Sequence, residues 1–233
     1  MIGPNRFRQI LSLVIIILIN LIFALKYFSR GVGHPLSLSI FYVVVLIIMF
    51  ILLKKINMPW LNSNWLYYLV IVGYCIGHII LFRFIKVENL NVDRWSVISS
   101  FWDQIFNHQY PYYAKSHMGN PPGPLPVYFL LTLPFSIIHE IGLLSLLGVG
   151  VFMWHLRKQK TANDSNIALL LIVLSVAVFW EISVRSTILV NGIIFYFCLF
   201  WLLNMELKNA HQRWISAVAC GLVLSTRSYL YFR

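Results

Sequence analysis

Few ionisable groups interrupt the apolar runs of this chain, so each one that stands near a run is a candidate for chemistry. Asp93, in NVDRW, follows an apolar run that closes near Phe82, with Arg94 and Trp95 beside it. A carboxylate so placed is either a loop acid bonded locally or to Arg94, or a group held at the membrane boundary to accept a proton. Asp103, in FWDQ, reads as a solvated carboxylate on the polar face of a short helix. Glu181, in WEISVRS, stands four residues before Arg185, so on a helix the two share a face and can form an ion pair. His108 and His117, taken with Asp93 or Asp103, leave a divalent metal site open, although no tight ligand spacing links them. His78 lies inside an apolar run, where a hydrogen bond between helices is its ordinary use. Arg227, in LSTRSY, falls in the last apolar run and either snorkels or meets a lipid phosphate.

The elements that must position these groups are set by composition. The chain is 60% hydrophobic and 11% charged, with a mean hydropathy of +0.79. A soluble domain carries about 25% charged residues, so this chain cannot cover a globule and must place much of its surface in lipid. The formal charge is +11. Its basic residues flank apolar runs instead of forming a soluble basic module, which argues against nucleic acid as a partner. Cys75, Cys198 and Cys220 each sit within an apolar run and imply neither a disulfide framework nor a zinc site.

These features predict an all-α polytopic membrane protein with about seven transmembrane helices. The expected spans are 10–25, 36–53, 65–82, 135–156, 166–180, 187–203 and 214–232, with Pro134 as the start of the fourth. This count puts Arg6, Arg8, Lys54, Lys55, Arg157, Lys158, Lys160, Lys208 and Arg213 on the inner side, more than if residues 125–154 held two spans. One long outer loop, residues 87–126, is too polar and proline-rich to be a bare span. Within it, Val97, Ile98, Phe101, Trp102, Ile105 and Phe106 recur at helical spacing and predict an interfacial helix over 96–106, followed by an aromatic turn at Tyr110–Tyr113.

The order of a span, VDRW, a surface helix and then WDQIFNHQYPYYAKSHMGNPPGPLPVYFLLTLPF resembles the first outer loop of GT-C superfamily glycosyltransferases. Asp93 matches the acidic residue those enzymes carry soon after a span. Tyr110, Pro111 and Tyr112 match their G-x-x-P-Y turn with His108 and Gln109 where the glycine would stand, and Pro121, Pro122 and Tyr128 approximate P-P-x-x-x-Y. The stretch from WEISVRS to the carboxyl end is similar to the region that follows in such enzymes, so the resemblance covers residues 65–233. Residues 1–64, two amino-terminal spans, lie outside it.

The resemblance implies inverting transfer of a sugar from a polyprenyl-phosphate donor to a glycan, lipid or protein acceptor at the outer face of a membrane, and the short loops point to the bacterial inner membrane. Asp93 and Glu181 are then the catalytic candidates. Arg94, Lys115, His117, Arg185 and Arg227 are the candidates for binding substrate, the cations chiefly for the donor phosphate. No organic cofactor is implied. Because such enzymes continue with further spans, the chain is expected to be an amino-terminal portion. A transporter or flippase of lipid-linked saccharides, or a non-catalytic membrane subunit, remains the alternative.

Overall fold

The computed structural model describes residues 4–29, 34–55, 59–90, 92–123, 126–204 and 209–224. Among them the regular structure is helical throughout: α1 (Pro4–Phe28), α2 (Pro35–Lys55), α3 (Asn64–Phe84), α4 (Arg94–Phe106), α5 (Pro126–Ile137), α6 (Gly142–Gln159), α7 (Ala162–Val173), α8 (Val176–Ser183), α9 (Ile188–Asn204) and α10 (Ala210–Leu224). Three of these open on a proline, which has no N–H to leave orphaned in a first turn. Three stretches, Ile10–Phe28, Pro35–Leu53 and Asn64–Phe84, are long and apolar enough to cross a membrane; there are up to five such spans if α5–α6 and α7–α8, each a bent pair, are counted as one apiece. Among the described residues the fold is all-helical, with several helices long and apolar enough to cross a membrane, as a multi-pass membrane protein has.

Two compact units are present, one of residues 1–74 with 155–180 and the other of residues 75–154 with 181–233. In the first, α1 packs along α2, and Leu53, Leu61 and Ile167 form a buried cluster. The expected span 166–180 is interrupted there: α7 and α8 meet at 59° around Leu174 and Ser175. A break exposes the first N–H groups of the second helix, which in lipid must find partners. Asn20 of α1 supplies one, its Oδ1 accepting from Ser175 Oγ at 2.9 Å and from the Ala177 N–H at 3.3 Å. Tyr42 of α2 supplies another, its hydroxyl accepting from the Val176 N–H at 3.0 Å and lying 2.8 Å from the Leu174 carbonyl. Two helices distant in sequence thus cap a third in mid-run.

In the second unit, Ile98, Phe101 and Trp102 of α4 form one buried cluster with Tyr128, Phe129 and Ile141. Phe101 stacks on Phe129, and Trp102 Nε1 donates to Thr132 Oγ1 at 3.1 Å. The amphipathic helix predicted over 96–106 is therefore present, two residues longer at its start, with its apolar face covered by α5. The expected uninterrupted span 135–156 is not. Pro134 does not start a helix but lies inside α5, and the chain turns by 112° between α5 and α6. The turn is built by backbone geometry: His139 takes a left-handed φ of 58°, its N–H bonds Ser136 O, and the Glu140 N–H bonds Phe135 O. That is the two-bond helix termination usually made with glycine. The Glu140 carboxylate then accepts the Gly142 N–H at 3.1 Å and caps α6. The same termination recurs at His108 after α4 and at Arg185 after α8, with φ of 57° and 53°.

Candidate functional site

Asp93 is the residue that precedes α4, where its side chain makes no bond to the helix end. It is instead held by a small loop. Ser116 N–H bonds Asn120 O at 2.9 Å, closing a turn through Gly119, whose φ of 83° favours glycine. The closed loop aims Ser116 Oγ and Asn120 Nδ2 at Asp93 Oδ2, at 2.9 and 2.6 Å. No other side chain among the described residues bonds Oδ1. Burial pushes the Asp93 carboxyl up, but the two side-chain hydrogen bonds, its own backbone N–H and the nearby His117 together outweigh burial and hold it below its ordinary value.

His117 closes the other side of this group. Its Nδ1 lies 2.8 Å from Ser96 Oγ, its N–H donates to the same oxygen at 3.2 Å, and its ring stacks on Trp95 with centroids 5.5 Å apart. Trp95 Nε1 is buried and has no hydrogen-bond partner among the described residues. Lys115, between the buried Ala114 and Ser116, points its exposed side chain outward.

Arg94 is anchored at one nitrogen. Its Nη1 donates to both carboxylate oxygens of Glu181 and, at 2.8 Å, to Ser186 Oγ. Glu181 is 3% exposed in its side chain and Arg94 29%. Nε and Nη2 of Arg94 have no partner among the described residues, so the guanidinium keeps an open edge toward solvent.

The pair expected between Glu181 and Arg185 does not form. The helix has ended by Val184, and the left-handed turn at Arg185 carries its side chain away from the face of Glu181. Arg185 pairs instead with Glu140, its Nε donating to Oε1 at 3.2 Å. Its Nη2 donates to Phe82 O at 2.7 Å, its Nη1 to Ser183 O at 3.4 Å, and the guanidinium lies over the Phe82 ring at 4.8 Å. Each nitrogen of this buried guanidinium donates to a protein acceptor, and its charge is paired with Glu140. The packing is close: a Cβ added at Gly142 would come within 2.4 Å of the Phe82 ring.

These two pairs are fastened to one segment. Residues 181–187, EISVRST, are all buried. Ser145 Oγ donates to Ser186 O at 2.6 Å and Tyr128 Oη to Thr187 O at 2.8 Å, so α5 and α6 bind two carbonyls of this connection while its side chains hold Arg94 and Glu140. The structure therefore brings together Asp93, Arg94 and His117, sets Lys115 in the same loop, and links Glu181 to them through Arg94. Arg185 serves the neighbouring pair, and Arg227 lies outside the described residues. Glu140, Ser116, Asn120 and Ser96 are contributors that motif reading missed. A lone acid in an apolar run was the signal for Glu140, since it must find a cation. Among the described residues no three His, Cys, Asp or Glu side chains are grouped as a metal ion would require. No protein family, curated protein or solved structure matches the chain.

Proposed function

We propose that the chain is a membrane glycosyltransferase that moves a sugar from a polyprenyl-phosphate donor to an acceptor hydroxyl at the outer face of the bacterial inner membrane, in keeping with its resemblance to the GT-C superfamily. The supporting observation is the group at the start of α4: an ionised carboxylate, a half-anchored arginine and an imidazole, fixed by a loop that the sequence places outside the spans. Asp93 is the base. Its carboxylate takes the proton of the acceptor hydroxyl while that oxygen bonds to the anomeric carbon and the bond from that carbon to the phosphate oxygen breaks. The configuration inverts, and the polyprenyl phosphate leaves with the electron pair. The open edge of Arg94, with Lys115, neutralises the departing phosphate, and His117 lies beside the acceptor. Glu181 acts through Arg94 as a positioning residue. In this topology the three unbroken spans, the two bent pairs, α9 and α10 make seven crossings with the amino terminus inside.

A carrier of lipid-linked saccharides is the second reading, favoured by the break between α7 and α8, since carriers bind cargo at interrupted helices. The polar groups at this break are engaged in capping, so glycosyl transfer stands first. The test is transfer from a panel of labelled polyprenyl-phosphate sugars by the chain in nanodiscs, with Asp93→Asn and Asp103→Asn alongside. Wild-type transfer, lost in Asp93→Asn and kept by Asp103→Asn at saturating acceptor, is the expected result. Full activity in Asp93→Asn overturns the assignment of the base, and movement of intact donor across the bilayer without transfer favours the carrier.

A further inference from the structure

The face of α4 that carries Ser96 continues through Ser99, Asp103 and Phe106 at steps of three and four residues. Beyond Ser96 it opens into a cleft of about 300 Å³ against the end of α5. The cleft is not part of the Asp93 group, and its lining is chemically mixed. Trp102 and Phe106 form an aromatic wall, their rings 5.9 Å apart, and Phe106 is 55% exposed. Asp103 on α4 and His139 in the α5–α6 turn are both exposed, and neither side chain has a partner among the described residues. Ser99 and Ser136 donate their hydroxyl protons to backbone carbonyls, at 3.2 and 3.1 Å, which leaves their oxygens as acceptors. His139 is held there by its left-handed backbone, a conformation unfavourable for a side chain other than glycine's.

We infer that this cleft is a saccharide subsite that takes one pyranose unit of a glycan acceptor. A pyranose has two kinds of surface. Its C–H face, polarised by neighbouring oxygens, packs on the negative face of an aromatic ring, and Phe106 offers such a ring. Its rim of hydroxyls needs acceptors and donors at the edge of that ring, and a free carboxylate accepts two vicinal hydroxyls at once while an imidazole gives or takes a third. Asp103, on α4, and His139, in the α5–α6 turn, come from separate elements and line the same cleft as the aromatic wall, which suits a ring held by both. Asp103 lies seven residues beyond Ser96, about 10 Å along the helix axis, so a glycan bound in the cleft runs along α4 toward the Asp93 group. The identity of the ligand as an acceptor rests on the glycosyl-transfer reading; the affinity of the cleft for a pyranoside does not.

The experiment uses the whole chain in nanodiscs prepared without glycosidic detergent. Methyl α- and β-pyranosides of glucose, mannose, galactose and N-acetylglucosamine are titrated, and saturation transfer from aromatic protein protons to the ring protons is recorded. Ethanolamine and myo-inositol are run as controls for an amine site and for unspecific polyol binding. At least one pyranoside is expected to show saturable transfer that exceeds both controls. Phe106→Ala should abolish the signal. Asp103→Asn should weaken binding by about tenfold, the equivalent of one hydrogen bond to a charged group. Asp93→Asn, which tests the other reading, should leave binding unchanged. Absence of saturable transfer from every pyranoside, binding undiminished by both cleft substitutions, or saturation by ethanolamine in their place overturns the proposal. Pyranoside binding with an active Asp93→Asn enzyme sinks the catalytic reading and leaves the cleft standing; transfer that depends on Asp93 without pyranoside binding does the reverse.

Discussion

Replacing Glu181 by Gln removes the charge that faces Arg94 while keeping the shape of the side chain. Two unit charges about 4 Å apart attract by ~4 kcal/mol at an effective dielectric of about 20. Glu181 is 3% exposed in its side chain, but Arg94 keeps 29%, so in the variant the guanidinium regains water along its open edge. Roughly half of the attraction should then be lost, about 2 kcal/mol, between the value of a surface pair and that of a fully buried one. Arg94→Gln should cost more, about 3 kcal/mol, because it strands a carboxylate that has no route to solvent. The double substitution removes both charges and should cost clearly less than the sum, giving a coupling energy of about 2 kcal/mol. Reversible unfolding in mixed micelles, followed by Trp fluorescence, measures all four corners of the cycle. The same cycle on Glu181 and Arg185, which belong to separate pairs, should come out below about 0.5 kcal/mol. Additivity between Arg94 and Glu181, or strong coupling between Glu181 and Arg185, refutes this account of the site.

Other consequences follow from the same contacts. Asn20→Leu leaves the Ala177 N–H and Ser175 Oγ short of an acceptor at the α7–α8 break and should destabilise the fold by about 2 kcal/mol in the same unfolding assay; a loss below about 0.5 kcal/mol would mean that the break needs no cap. His108→Gly relieves a left-handed φ of 57° at an exposed position and should stabilise by about 0.5–1 kcal/mol, seen as a raised midpoint. Asp93 titrates below its ordinary value of 3.8, so its hydrogen bonds to Ser116 and Asn120 contribute stability that is fully present above that pH and disappears as pH falls through the lower, folded value. The stability difference between wild type and Asp93→Asn should therefore stay constant from about pH 7 to 5 and shrink below about pH 4; a difference that grows on acidification contradicts the sign.

Some of this architecture was legible in the residue order alone. Charge-free runs bounded by Lys and Arg marked α1, α2 and α3, because the cost of a buried charge in lipid is paid residue by residue and needs no knowledge of neighbours. The spacing of Ile98, Phe101 and Trp102 marked α4 and its buried face for the same local reason. Asp93, Arg94 and His117 were named as separate candidates from their place in one polar loop and from the GT-C resemblance; that Ser96, Ser116 and Asn120 tie Asp93 and His117 together was not legible there.

The breaks and the pairings were decided by tertiary structure. Hydropathy averaged over a whole span reads 135–156 and 166–180 as continuous, because the few polar residues at the breaks, His139 and Glu140 in one and Ser175 in the other, are outweighed by the apolar residues around them. What bends the chain is supplied from elsewhere: Asn20 and Tyr42 cap α8 across more than a hundred residues, and the left-handed turn at His139 lets Glu140 cap α6. Local spacing likewise offered Arg185 as the partner of Glu181, which would hold only if the helix ran on. It stops at Ser183, and each acid then takes the cation that folding brings within reach, Arg94 for Glu181 and Arg185 for Glu140. A buried charge must be paired, but which partner it takes is a property of the packed helices and not of the distance between two letters.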